Sequence, residues 1–300
     1  MTNNEKNFTL PFSSSPLDRS GERRRDSEYM AAMREHPEAR LLLVADETKV
    51  AVDNGGSLAW HRLSEVAASE PIVFLGLDEA GVPLFSRERQ GEEAPPDGAE
   101  FAQLREVGVL LSHFDAAAAV QAVALAAWHR RSPNCVNCGG TTTIEDAGHL
   151  RRCQVCGTPH FPRTDAAVIM LVTDRERCVL GRRAGAPEGR WSTLAGFVEP
   201  GESLESAVAR EVLEEVGLVV RATRYRGSQP WPFPASLMVA FEADAAFGPL
   251  TINDEHHDVR WFSRDEVAMA IKSGEMTVPG PISAGSFLIR SWLGADFDEL

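Results

Sequence analysis

Apolar and polar positions along the chain fall into two blocks of strand-and-helix pattern, separated by a short cysteine-bearing segment. In the first block, apolar runs at Leu41–Ala45, Ile72–Leu77 and Val82–Phe85 are short and are bounded by turn formers such as Asp53-Asn54-Gly55-Gly56, so they predict strands. The Ala-rich stretch Asp115–His129 has the length and composition of a buried helix. In the second block, Ala166–Val172 and Cys178–Gly181 read as a strand pair, with further strands at Leu237–Ala243 and Val259–Phe262 and more structure from Thr277 onward. Between them, Leu204–Val216 predicts a helix stopped by Gly217, with Val208, Val212 and Val216 on one apolar stripe. The fold class is α/β, with α+β character in the first block. The predicted organisation is a flexible arm over 1–27, an α+β domain over 28–131, a cysteine module over 132–162 and an α/β domain over 163–300.

Composition narrows the function classes. With 43% hydrophobic and 25% charged residues, the 300-residue chain is an ordinary globular one, long enough for more than one core. Its 30 Lys+Arg against 44 Asp+Glu give a net charge of −14, which disfavours general attraction to nucleic acid or to an anionic membrane. An acidic protein that handles an anionic substrate needs cations between the two. No stretch of about 18 apolar residues appears, and the polar N-terminus lacks the pattern of a secretory signal, so the expected location is the cytoplasm, with no membrane partner.

Cys135-x-x-Cys138, fourteen residues, then Cys153-x-x-Cys156 is the spacing of two knuckles that present four thiolates to one tetrahedral ion. Four cysteines close the coordination shell, so the predicted role is one structural Zn²⁺ that stabilises a module too small for its own core. Arg130, Arg131, Arg151 and Arg152 flank it, either as solvated charges or as a nucleic-acid contact. Cys178, alone in an apolar run, reads as core packing.

The stretch 196–218, GFVEPGESLESAVAREVLEEVGL, crowds carboxylates onto one short helix and its approach. At about 100° per residue, Glu211, Glu214 and Glu215 share one edge of the helix, apart from the valine stripe. Two carboxylates about 4 Å apart in a cleft repel by up to roughly 4 kcal/mol at an effective dielectric of about 20. Either the three acids spread into water as an ordinary solvated face or, converging in a cleft, they call for cations, and oxygen ligands then point to Mg²⁺ or Mn²⁺.

Gly196, five residues, Glu202, seven residues, then Arg210-Glu211-Val212-x-Glu214-Glu215-x-Gly217-Leu218 resembles the Nudix hydrolase signature at every defined position. The resemblance implies an α/β/α sandwich that hydrolyses a nucleoside diphosphate linked to another group. It implies that Glu211 and Glu215 are the principal metal ligands and that Glu214 is a further ligand or the base. By the same resemblance, Glu202 and Arg210 orient the others, and the Ala195 carbonyl is another metal ligand.

Beyond the helix, Ser228-Gln-Pro-Trp-Pro-Phe-Pro-Ala-Ser236 alternates three prolines with aromatics, which stiffens the backbone for ring stacking or for a loop plugged into a core. This array resembles the one that marks the NADH pyrophosphatase branch of the family, which also carries a four-cysteine zinc ribbon between an N-terminal domain and the Nudix domain. That resemblance implies a dinucleotide site lined by Gln229, Pro230, Trp231, Pro232, Phe233, Pro234, Ala235 and Ser236. It also implies a metal-binding Glu255, base-stacking rings at Phe161 and Phe197, and a substrate contact at Gly285. Phe161 departs from the usual Tyr and Gly285 from the usual Ala, and His256 and His257 read as solvated loop. The implied reaction converts NADH or NAD⁺ to nicotinamide mononucleotide and AMP with two or three Mg²⁺ or Mn²⁺ ions in a homodimer. The same chemistry could remove a 5′ NAD cap from RNA, and a third possibility, of another class, is a non-catalytic zinc-ribbon sensor or adaptor.

Overall fold

The computed structural model describes residues 10–14, 16–66 and 70–294. The chain divides into two compact units. One is built from Ser14–Thr164 and Trp231–Ala235, the other from the segment ending at Ser13, Asp165–Pro230 and the chain from Ser236.

In the first unit, strands Val73–Leu77, Pro83–Glu88, Arg40–Ala45, Lys49–Asp53 and Ala99–Gln103 lie side by side in that order, with His61–Arg62 also paired to Arg40–Ala45. The helix His113–Arg131 packs on this sheet, and its run of buried alanines lets the two backbones approach closely. Ser112 caps it by accepting from the Asp115 N–H at 3.0 Å. Phe74, Phe85, Leu41 and Leu43 fill a core on the sheet. The expected turn at Asp53 forms, its carboxylate accepting from the Gly55 and Ser57 N–H groups. The cysteine segment folds as a three-stranded sheet, Thr142–Glu145, Leu150–Cys153 and Pro159–His160. It is tied to the rest of this unit where His149 Nε2–H donates to the Phe74 carbonyl and His129 Nε2–H to the Gly148 carbonyl.

In the second unit, the strands run Val220–Trp231, Ser236–Ala245, Asp165–Thr173, Arg177–Arg183 and His256–Ser263, and Leu194–Phe197 also pairs with Asp165–Thr173. Strand alternation sends Val168, Met170 and Val172 to one face, where Ala207, Val208, Val212 and Val216 of the helix Leu204–Val216 cover them. Ile169 and Leu171 face the other way, onto Val267 of the helix Arg264–Ser273 and Phe287 and Ile289 of the helix Ala284–Leu293. The result is the expected α/β/α sandwich, with Gly217 ending the first helix at φ 72°, where a residue with a Cβ would be strained.

Two sequence expectations need correction. The N-terminal arm is not loose from Leu10 onward: Leu10, Phe12 and Leu17 are buried, Leu10 within the core of the second unit, and the Leu77 N–H of the first unit donates to the Asp18 carbonyl. Residues 1–9 of that arm lie outside the described residues. Gln229–Trp231 is not loop but the end of the long edge strand Val220–Trp231, and only 232–235 form the turn.

Candidate active site and metal centres

The helix Leu204–Val216 starts at Ser203, whose hydroxyl accepts from the Ser206 N–H. Ahead of it, Glu202 accepts from the Glu199 N–H at 3.0 Å, which folds the approach loop back on itself. Arg210 then reaches across. Its Nε and Nη2 donate to the two oxygens of Glu202 at 2.9 Å each, Nη1 donates to Glu211 at 2.8 Å and to Glu214 at 3.1 Å, and Nη2 also donates to the Phe197 carbonyl at 2.9 Å. One planar guanidinium thus holds three carboxylates and the neighbouring strand. The hydrogen bonds from Arg210 hold the Glu202 carboxyl below its ordinary value.

The expected acidic edge separates in space. Glu214 is 56% exposed, whereas Glu211 and Glu215 side chains are only 14% and 4% exposed. Glu215 rests beside the apolar stripe, because a residue three after Val212 and one before Val216 is drawn into the helix–sheet interface. Glu211 lies against Gly196 on strand Leu194–Phe197: a Cβ there would come within 1.9 Å of its carboxylate, so any side chain at 196 would push that carboxylate aside. Burial, then the charges of Glu211 and Glu255, push the Glu215 carboxyl up to about 8, against the pull of Arg183 and of a hydrogen bond from the Ala195 backbone. Glu215 Oε2 is buried and has no hydrogen-bond partner.

Glu255 stands at the edge of this cluster, 61% exposed, with Arg183 3.6 Å away. His256 corrects the expectation of a solvated histidine pair. His257 is exposed, but His256 is 8% exposed and its Nε2 lies 3.5 Å from Glu215 Oε2. Burial first and then Arg183 hold it below the usual histidine range. Its only sequence signal is its place three residues before the buried Val259 of the same strand, too weak to separate it from its neighbour.

A buried, partnerless carboxylate oxygen, a second carboxylate seated in a glycine gap and a third acid beside them form a donor set that fits a divalent cation. The glutamate oxygens do not converge as tightly as the cysteines. Among the described residues, the four thiols form the group of three or more potential ligands whose atoms all lie within 4.8 Å of one another. Cys135 and Cys153 are buried and Cys138 and Cys156 exposed, and backbone N–H groups of Asn137, Val155 and Cys156 donate to sulfur at 3.4 Å. His160 Nε2 lies 3.2 Å from Cys135 Sγ. The thiol geometry and its N–H donors fit zinc.

The residues expected to line the dinucleotide site have mixed fates. Gln229 is fully buried, its amide donating to the Pro11 and Ile282 carbonyls and accepting from the Ala284 N–H, all within its own unit. Gly285 is also buried, and a Cβ there would lie 3.1 Å from Thr193 Oγ1. Trp231 and Phe233 meet edge to face at 5.0 Å, with the Arg105 guanidinium 4.4 Å above Phe233. Phe233 and Pro234, with Arg105, Arg130 and Arg131, line a cleft of about 400 Å³ in the first unit. Pro232 is buried, Pro230, Ala235 and Ser236 are half-buried, and Phe161 and Phe197 are exposed.

No helix among the described residues is long and apolar enough to cross a membrane. Residues 162–278 match the NUDIX domain, and residues 35–128 match the NADH pyrophosphatase-like rudimentary NUDIX domain. The chain is 40% identical over 93% of its length to "NAD-capped RNA hydrolase NudC" of Mycobacterium bovis, covering 93% of that protein. It is 31% identical over 98% of its length to "NAD-capped RNA hydrolase NUDT12" of Homo sapiens, covering 75% of that protein. A solved NUDIX hydrolase from Nitrosomonas europaea is 27% identical over 44% of this chain and 78% of its own, with a TM-score of 0.37. With the signature loop and helix, the sandwich, the two domain matches and the relative 40% identical over 93% of both chains, the chain belongs to the Nudix hydrolase family, in the branch with an NADH pyrophosphatase-like rudimentary Nudix domain.

Proposed function

We propose that this protein hydrolyses the pyrophosphate bond of NADH or NAD⁺, releasing AMP and reduced or oxidised nicotinamide mononucleotide, and that an NAD cap on RNA is cut by the same chemistry. The observation that carries this reading is the buried, partnerless Glu215 oxygen beside the Arg210-braced Glu211. The names of the two relatives support the dinucleotide.

Glu211, Glu215, Glu255 and the Ala195 carbonyl would hold two or three Mg²⁺ or Mn²⁺ ions. When bound, such ions neutralise the diphosphate and make water a stronger nucleophile. Arg210 keeps Glu202 ionised and orients both Glu202 and Glu211 through its hydrogen bonds. Glu214, exposed on the same helix, accepts the proton as the water oxygen bonds to phosphorus and the bridging P–O bond breaks. Phe161 and Phe197 offer exposed rings to a base, and Trp231 and Phe233 form the rigid aromatic part of the Pro-rich array. The four cysteines would carry one structural Zn²⁺. The domain limits we propose are 28–131, 132–162 and 163–300, in a cytoplasmic homodimer; two CxxC pairs that serve as metal ligands rather than as disulfides suit a reducing compartment.

Mass spectrometry of the products from NADH, NAD⁺ and NAD-capped RNA, with each divalent ion and with chelator, tests the reading. AMP and nicotinamide mononucleotide are expected from the free dinucleotides only when a divalent ion is present. Absence of any cleavage with either Mg²⁺ or Mn²⁺ would favour a sensor or adaptor and reject the enzyme.

A further inference from the structure

The histidine beside the acids has a defined tautomer. Asn253 Oδ1 accepts from the Glu255 N–H at 3.1 Å, which identifies that atom as the oxygen of the amide. The same atom lies 3.2 Å from His256 Nδ1, so Nδ1 carries the proton and donates. His256 Nε2 is left with its lone pair, facing Glu215 Oε2 at 3.5 Å.

The ring packs against Gly181: a Cβ there would come within 2.6 Å of His256 Cδ2 and 2.7 Å of Nε2, so a side chain at 181 would displace the imidazole. Both side chains are more than nine-tenths buried, at 5% exposure for His256 and 4% for Glu215. Nε2 and Glu215 Oε2 are therefore held face to face out of water, and a positive centre between them, a proton in the metal-free protein or a cation in its place, satisfies both. One cation with bonds of about 2.1 Å to each atom spans the 3.5 Å gap at an angle of about 110°, within the range that first-row dications accept. The Nδ1–H bond to an amide oxygen is the outer contact that orients a metal-binding imidazole.

We infer that His256, through Nε2, is a nitrogen ligand to a cation shared with Glu215, and that this mixed nitrogen and oxygen site favours Mn²⁺ over Mg²⁺. The inference rests on reading Glu215 as a metal-site residue. Imidazole suits transition-metal ions, whereas Mg²⁺ keeps to oxygen.

The test is pulsed electron paramagnetic resonance on the full-length, zinc-loaded protein with Mn²⁺ as the probe, alongside calorimetric titration with Mn²⁺ and with Mg²⁺. Wild type is expected to show imidazole nitrogen coupling that changes to the ¹⁵N pattern when histidine alone is ¹⁵N-labelled, a readout that needs no variant. His256→Leu, and His256→Gln where the leucine variant does not fold, should lose the coupling and about tenfold in Mn²⁺ affinity while Mg²⁺ affinity changes less. Mn²⁺ that binds in a manner lost in Glu215→Gln yet shows no nitrogen coupling in wild type would overturn the histidine ligand and leave the glutamate reading standing. Coupling that persists in both His256 variants would also overturn it. Mn²⁺ binding that is indifferent to Glu215→Gln would overturn both.

Discussion

The two candidate metal centres are built in opposite ways. The four cysteines span 135–156, and their thiols already lie within 4.8 Å of one another, with backbone N–H groups of the same knuckles donating to sulfur. The acidic site draws Glu211 and Glu215 from one helix, Gly196 and Ala195 from a strand, and Glu255 and His256 from the start of another. A local motif carries its own geometry, and the energy of binding metal becomes folding energy for its module. A site assembled from distant segments is shaped by the packed core, which holds one Glu215 oxygen out of water with no hydrogen-bond partner. Loaded with metal, the first centre would stabilise the fold, whereas the second would be tolerated by it.

Removing metal from the cysteine cluster tests the first half of that contrast and has the largest expected effect. Cys135→Ser with Cys153→Ser, or a strong chelator, should cost the ribbon on the order of 10 kcal/mol of metal-derived stability. Amide exchange across 132–162 should then rise towards that of unfolded chain. Protection that survives zinc loss would mean that the hydrogen bonds from His149 and His129 hold the module without metal.

Glu215→Gln addresses the second half and should lower turnover roughly a thousandfold, the scale of losing several kcal/mol of metal-assisted stabilisation. The same change should alter the pH dependence of stability. In the metal-free protein the native carboxyl holds its proton up to about 8 while the unfolded chain releases it near 4.5. The native state therefore binds more protons between those values, and wild-type stability falls by a few kcal/mol as pH rises through them. Glutamine at 215 should flatten that fall in urea titrations, and an unchanged slope would show that Glu215 is not the group responsible.

Gly196→Ala should reduce turnover about a hundredfold, because a Cβ within 1.9 Å of the Glu211 carboxylate forces that ligand aside. Near-normal kcat in a folded variant would show that the glutamate has freedom the packing denies it. The smallest effect is expected from Arg210→Lys, about tenfold, since an ammonium keeps the charge but cannot hold Glu202, Glu211, Glu214 and the Phe197 carbonyl at once. Recovery of less activity by lysine than by alanine at 210 would contradict a positioning role.

Much of the architecture was legible in the linear pattern. The signature helix runs over the predicted Leu204–Val216, because a valine stripe, a capping serine and a terminal glycine all act within a few residues of one another. The edge strand Val220–Trp231 was not legible: it alternates arginine with small and polar residues, and little of it is buried. The burial of Gln229 was not legible either, since a polar side chain looks the same in sequence whether it faces solvent or bonds three backbone groups inside the core. The arm was read as loose from its serines, although Leu10, Phe12 and Leu17 are enough to anchor it.

Spacing alone determined the two cysteine knuckles and the order of acids along the helix, because the reach of a turn and the 3.6-residue period are properties of the backbone nearby. Only the folded sheet decided which glutamate is buried, why position 196 has no side chain, and which of two adjacent histidines faces Glu215. Those outcomes depend on strand register and on core packing between segments far apart in the chain, and side-chain burial is a property of the assembled layers rather than of any one of them.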